Sequence, residues 1–369
     1  MDDFFGQPQG AAILKHELLR KYVPVYARKT GSRTSVVLLD GYAGPGRYDD
    51  GSSGSPQLMV ETAQKLRGSR VHCIFVEENH HHCERLQRLL ANLGDHDSKV
   101  LPGDIERHLN TVVASCRGKA LLVFLDPFGL SIPFGLLNRT ILNRRRSGQE
   151  WQPTEVLLNF SISGINRAAG RLDSSPETQS AAKANEARLR ELDDFLGGVW
   201  WTSIWRLGVE DRVHRIFERY LQQVRASGSG WRTLAVPVAD RWDGPPAYYL
   251  VLFTQNRQGL WYFANAASYG ADALHDFTFH HDPQPKLFMP EDAENWVGQI
   301  KKNLEKLLDQ HESFRLIDQM TTVYGDTLGR AREKHIREAL KQLYAQGRMA
   351  PNPRGVQDLH SLQVSSQRR

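Results

Sequence analysis

Residues 38–56 read LLDGYAGPGRYDDGSSGSP, a short apolar run followed by glycines at 41, 44, 46, 51 and 54. Such a loop either lets a ligand approach the backbone closely or only turns the chain, and its neighbours decide which. Working outward, short apolar runs alternate with segments of helical periodicity. Residues 35–40 (SVVLLD), 71–77 (VHCIFVE), 99–101, 120–126 (ALLVFLD) and 155–160 (EVLLNF) are rich in leucine and β-branched residues. Four of them are almost continuously apolar, as strands buried on both faces must be. Residues 56–67, 79–93 and 105–116 repeat their apolar positions at helical spacing, and residues 11–27 set Ile13, Leu14, Leu18, Tyr22 and Val23 on one helical face. The alternation predicts an α/β fold, a doubly wound parallel sheet with right-handed crossovers.

After Phe160 the rhythm changes. Residues 181–226 are charged and leucine-rich, carry Trp200, Trp201 and Trp205, and predict two or three inserted helices. Residues 233–239 and 247–254 supply two more strands, residues 260–268 a helix, and the chain from Glu291 is helical. The expected domains are therefore 1–161 with 231–275 as the sheet body, 162–230 as a helical insertion, and 285–360 as a basic helical module. In that module residues 331–345 form a helix before the turn QGRMAPNPRG, a pattern that predicts a winged helix; a packing or dimerisation helix is the other reading.

Of the 369 residues, 40% are hydrophobic and 24% charged, which suits one large domain with smaller additions. No run has the roughly 20 apolar residues of a membrane span, and MDDFFGQPQG has no signal-peptide pattern, so a cytoplasmic protein is expected. Three cysteines without CxxC spacing predict free thiols. The net charge of +5 lies entirely in residues 301–369, where 13 Lys and Arg face 8 Asp and Glu. A polyanionic partner at that end is one reading and a solvated helix surface the other.

In a doubly wound sheet, ligands bind beyond the carboxyl ends of the strands. Asp40 closes the first strand, with Tyr42, Ala43, Gly44 and Gly46 in the loop behind it. Glu77 closes the second strand, where a carboxylate can accept both hydroxyl protons of a ribose, and Asp104 follows the third, where it can accept the amino protons of an adenine. A nicotinamide site would show GxGxxG with its acid about 20 positions on. The pattern here instead resembles the acidic-x-G-x-G-x-G loop of class I S-adenosylmethionine-dependent methyltransferases, with Tyr42 standing where that motif has its first glycine. The implied cofactor is S-adenosyl-L-methionine.

The fourth strand ends in FLDPFG, residues 124–129. It resembles the Asp-Pro-Pro-Tyr type motif of methyltransferases acting on exocyclic amines, and the Asp-Pro-Phe-Gly motif of tRNA guanine-N2 methyltransferases. The lone pair of an exocyclic amine is delocalised into its ring, so two acceptors must hold its protons as the methyl arrives. The Asp126 carboxylate and the Pro127 carbonyl suit that task, and Phe128 suits stacking on an extruded base. Gly129 and Asn159 join them on the substrate side. The alternative is a tight turn after a buried strand.

Over nearly its whole length the chain resembles the bacterial three-Cys-motif partner protein family. The resemblance rests on LDGYAGPGRY with GSP at 54–56, KHELLRKY at 15–22, FLDPFG, LLNFS at 157–161 and YYLVLFTQNRQGL at 248–260. It implies a Rossmann-like methyltransferase fold and a Cys-containing protein partner encoded nearby. Trp261, Tyr262 and Phe263 replace more usual aliphatic and Met-type residues, a difference expected to affect packing.

Other features carry less. NHHHCE at 79–84 aims three adjacent histidines in different directions and has no second cluster, so no metal is expected. In RTILNRRR, Arg144 and Arg145 are placed to hold phosphates beside the substrate, or else form an exposed charge run. Lys15 and His16 would reach the substrate face if the first helix caps the site, and are otherwise a surface pair. The expected function is N-methylation of an exocyclic amine on DNA or RNA, the alternative a non-catalytic nucleic-acid-binding protein in a defence or regulatory complex.

Overall fold

The computed structural model describes residues 10–66, 70–127, 129–130, 132–143, 153–176, 178–228, 230–241, 244–281 and 291–367. Two compact units divide the chain, one of Met1–Ala12 with Val23–Gln255, the other of Ile13–Tyr22 with Asn256–Arg369. The leading helix α1 (Gly10–Gly31) contributes residues to both.

In the first unit the chain runs β1 (Val36–Asp40), α2 (Ser55–Lys65), β2 (Val71–Glu77), α3 (His80–Asn92), β3 (Lys99–Pro102), α4 (Ile105–Ser115), β4 (Ala120–Leu125), α5 (Phe134–Leu137) and β5 (Thr154–Ser161). There follow α6 (Ile162–Ala169), α7 (Gln179–Leu196), α8 (Trp201–Arg206), α9 (Arg212–Ala226), β6 (Arg232–Val238) and β7 (Tyr248–Thr254). The sheet order is β3-β2-β1-β4-β5-β7-β6. Strands β1 to β5 pair in parallel, while β7 lies antiparallel to both β5 and β6. This is the Rossmann-like methyltransferase fold. The chain leaves the β3 edge and returns on the other side of β1 as β4, so the crevice over the ends of β1 and β4 is the topological switch point.

Every residue of β1 and β4 is buried, which accounts for their unbroken apolar runs. The insertion helices are part of this core. Phe160 of β5 packs against Phe217 of α9 with ring centroids 4.8 Å apart and Phe195 of α7 at 5.4 Å. The helices of residues 162–230 therefore share the core of the sheet.

The second unit holds α10 (Arg257–His281), α11 (Glu291–Gln310), β8 (Ser313–Arg315), α12 (Met320–Tyr324), α13 (Glu333–Ala345), β9 (Met349–Ala350) and β10 (Gln363–Ser366). Its three strands form an antiparallel sheet in the order β8-β10-β9. Expected with the sheet body, the helix beginning at Arg257 groups here because its aromatic residues pack here. Trp261 and Phe263 are fully buried; Trp261 Nε1 donates to Glu333 Oε2 at 3.0 Å, and Phe263 meets Tyr22 edge-on at 5.5 Å. His335 lies buried beside them, and its Nδ1 accepts the Arg332 N–H at 2.9 Å. Burial, then the neighbouring Lys334 and Arg332, lowers His335 to about 4.

Cys73, Cys83 and Cys116 are buried and outside any disulfide among the described residues, and burial pushes the Cys73 thiol up to about 12. Among the described residues no helix is long and apolar enough to cross a membrane, and no group of His, Cys, Asp or Glu is arranged to hold a metal ion.

Candidate functional site

The glycine-rich stretch is two structures in succession. Residues 41–46 pass over the strand ends, tied down by Gly41 N–H to Phe124 O at 2.9 Å and Ala43 N–H to Val76 O at 3.0 Å. Residues 47–53 form a small hairpin: Arg47 bridges Ser53, Tyr48 N–H reaches Ser52 O at 2.9 Å, and Gly51 turns with φ 86°. The hairpin closes through Gly54 N–H to Gly46 O at 3.0 Å and returns Ser55 to the end of β1.

Asp40, fully buried, accepts Tyr42 N–H on Oδ1 at 3.1 Å and Ser55 Oγ–H on Oδ2 at 2.6 Å. Gly44 and Gly46 take φ 61° and 81°, the left-handed region open to glycine. A Cβ on Gly46 would stand 2.7 Å from both Leu86 and Leu89 of α3. Tyr42 has no positive φ, so that position does not need a glycine. The close approach falls one residue earlier, where a Cβ on Gly41 would sit 2.8 Å from Leu125 Cδ2. Gly41 is thus set by packing against Leu125 and Ile105.

Glu77 holds the loop against the second strand. Its Oε2 accepts Gly44 N–H at 2.7 Å, its Oε1 accepts Asn79 N–H at 2.8 Å, and its own carbonyl accepts Gly103 N–H at 2.9 Å. Each carboxylate oxygen keeps acceptor capacity, so Glu77 can still receive ligand hydroxyls. Asp104 caps α4, accepting Arg107 N–H at 2.9 Å and facing Arg107 Nε at 3.1 Å. The sequence separates these residues, and the strand ends bring Asp40, Gly44, Gly46 and Glu77 into one hydrogen-bonded assembly.

At the other side of the switch point, Asp126 follows β4 and Asn159 lies one strand over on β5. The register sets Leu125 beside Leu158, so the next residues are neighbours, and Asn159 Nδ2–H donates to Asp126 Oδ1 at 2.8 Å. Asn159 is 8% exposed, and its Oδ1 is buried with no hydrogen-bond partner among the described residues. Such an atom costs on the order of 1–3 kcal/mol unless a ligand or water meets it. Pro127 is buried. Gly129 adopts φ 140° and lies against Gly164 of α6, whose N-terminus Ser161 caps through Gly164 N–H at 3.0 Å.

Phe128, Arg144 and Arg145 lie outside the described residues. Lys15 and His16 belong to the second unit, both buried, a correction to the surface-pair reading. Burial, then Lys15 and Arg20, hold the His16 imidazole well below its usual range. The histidine run divides as expected: Asn79 caps α3 through His81 N–H at 2.9 Å and His82 N–H at 3.2 Å, His80 faces Glu84 at 3.5 Å and His82 faces Glu77 at 3.5 Å. Sequence reasoning missed Ser55 and Gly41; the GSP triplet at a helix start was the available sign of the first.

No family model and no curated protein matches the chain. Several solved structures are similar to part of it. Protein LPL1258 from Legionella pneumophila matches with TM-score 0.41 and 12% identity over 76% of this chain and 96% of that one. An O-methyltransferase from Bacillus cereus, solved in complex with SAH, matches with TM-score 0.34 and 12% identity over 65% and 79%. Rv0187 from MTB, solved cofactor-bound, matches with TM-score 0.31 and 13% identity over 66% and 87%. The fold assignment stands on the strand order itself.

Proposed function

We propose that this chain is a class I S-adenosyl-L-methionine-dependent methyltransferase that N-methylates an exocyclic amine of a nucleic-acid base. The observation that carries the reading is the Asp126–Asn159 pair at the switch point, across from a glycine loop held by Asp40 and Glu77. The loop fits the cofactor: glycines at 44 and 46 adopt conformations that other residues rarely take, and the Glu77 carboxylate stands at the second strand end where a ribose would be read. When bound, the cofactor supplies a methyl group already activated on a sulfonium.

The residues of the chain then have only to bind and orient. Asp126 and the Pro127 carbonyl hold the two amine protons, so that the nitrogen lone pair is turned out of the ring's conjugation. Asn159 fixes the Asp126 carboxylate through its amide N–H. Asp104, at the third strand end, serves the adenine edge.

The second unit supports a nucleic-acid substrate. Its order of helix, strand, two helices and two strands, from α11 to β10, supports a winged-helix reading, and its C-terminal residues carry the net positive charge. We read it as the module that grips the polynucleotide, and the chain as a three-Cys-motif partner protein. A non-catalytic nucleic-acid-binding role is favoured by the same module alone.

Incubation with labelled S-adenosyl-L-methionine and separate pools of DNA, tRNA, ribosomal RNA and protein tests the reading. Label in a nucleic-acid pool, lost with Asp126→Ala, is the expected result. Absence of any melting shift with S-adenosylhomocysteine would overturn it at the first step.

A further inference from the structure

An open surface depression of about 530 Å³ lies beside the glycine loop, lined in part by Pro45, Arg47, His81, Arg85 and Arg88. It is built from separate stretches of sequence. His81, Arg85 and Arg88 sit at i, i+4 and i+7 along α3, one stripe of that helix. Arg47 comes from the first residue of the hairpin. The helix is brought against the loop because Leu86 and Leu89 pack under Gly46, where a Cβ would find only 2.7 Å.

The guanidinium groups are braced. Arg47 Nε donates to Gln57 Oε1 at 3.0 Å, and the buried Gln57 in turn donates to Glu61 at 2.9 Å. Arg85 is held by Asp49 at 2.7 Å, and Arg88 Nε reaches Glu84 O at 3.3 Å. Each guanidinium has five N–H donors, so these contacts fix direction and leave donors over. Asp49 is the one acid paired with the three arginines here, among the contacts described, which leaves the depression cationic.

From this geometry we infer that the depression binds phosphodiester groups of a nucleic-acid strand and docks the acceptor on the catalytic unit. The inference rests on the methyltransferase reading above for its choice of polyanion. Arginines in a fixed fork suit phosphate oxygens, and Pro45 puts the depression on the rim of the loop that faces the switch point.

The test measures binding of fluorescent single-stranded DNA and RNA of about 20 nucleotides from roughly 50 to 200 mM salt. The full chain is compared with the R47Q/R85Q/R88Q variant and with exposed Arg88→Gln alone. Three lost phosphate contacts should lower the slope of log affinity against log salt by about 2, and one by about 0.7. Both variants should keep the S-adenosylhomocysteine melting shift. If the triple variant does not fold, the single variant decides. Unchanged slope and affinity, or no binding by the unaltered chain, overturn the phosphate site. Methyl transfer to nucleic acid with an unchanged slope removes the site and leaves the enzyme; an arginine-dependent slope with no transfer to any pool does the reverse.

Discussion

At the β1–β2 end of the crevice, the acidic side chains are engaged by the chain's own N–H and O–H groups. Asp40 holds Tyr42 and Ser55, Glu77 holds Gly44 and Asn79, and Asp104 holds the start of α4. At the β4–β5 end, the Asn159 amide oxygen is buried and accepts no hydrogen bond from the described residues. The contrast separates two kinds of work done by similar residues at strand ends. One end shapes a loop, and its acids hold the chain's own groups; the other leaves an acceptor open, which the proposed reading assigns to a substrate N–H.

The strongest way to break this comparison is Asp40→Ala. It leaves the Tyr42 N–H and Ser55 hydroxyl without that acceptor in a fully buried place, at a cost of about 3 kcal/mol. The loop should lose its shape, and affinity for S-adenosylhomocysteine should fall about a hundredfold or more by calorimetric titration, equivalent to about 3 kcal/mol. Binding within about threefold of the unaltered chain would mean that Asp40 does not shape the loop.

Asp126→Ala probes the other end. Methyl transfer should fall by about 10² to 10³ while S-adenosylhomocysteine affinity stays within about threefold, because Asp126 acts on the acceptor and not on the loop. A parallel loss of both would merge the two ends into one structural unit. Asn159→Leu should share the activity loss in smaller measure, about tenfold, and by removing the orphaned amide oxygen should leave the melting temperature the same or higher. A large fall in melting temperature would instead assign Asn159 to the fold.

How legible these ends are in the sequence follows from the same physics. Strands β1 and β4, buried along their whole length, announce themselves as apolar runs, so Asp40 at the end of one and Asp126 just after the other can be read directly, as can Glu77 at the end of the run 71–77. Gly44 and Gly46 follow from the loop. The Asp126–Asn159 contact cannot be read this way, because it depends on the register that aligns Leu125 with Leu158. Helix α10 was assigned to the wrong body for a related reason: periodicity marks a buried stripe but not what covers it, and Trp261 and Phe263 pack within the second unit. Arg47, Arg85 and Arg88 converge only because Leu86 and Leu89 seat under Gly46.

Ser55→Ala is the gentlest probe of the loop and the sharpest test of what the hairpin is for. The chain makes a 15-residue excursion between Asp40 and Ser55, and the hairpin at 47–53 closes it so that the hydroxyl meets Oδ2 at 2.6 Å. Removing that hydroxyl leaves Tyr42 N–H on the other carboxylate oxygen, so Asp40 keeps one of its two named ties to the loop. The expected cost is about 1 kcal/mol in melting experiments and about fivefold in S-adenosylhomocysteine affinity, well short of Asp40→Ala. Threonine at position 55 keeps the hydroxyl, so Ser55→Thr should restore most of the affinity. If Ser55→Ala binds as tightly as the unaltered chain, the hairpin serves only to start α2, and Asp40 shapes the loop through Tyr42.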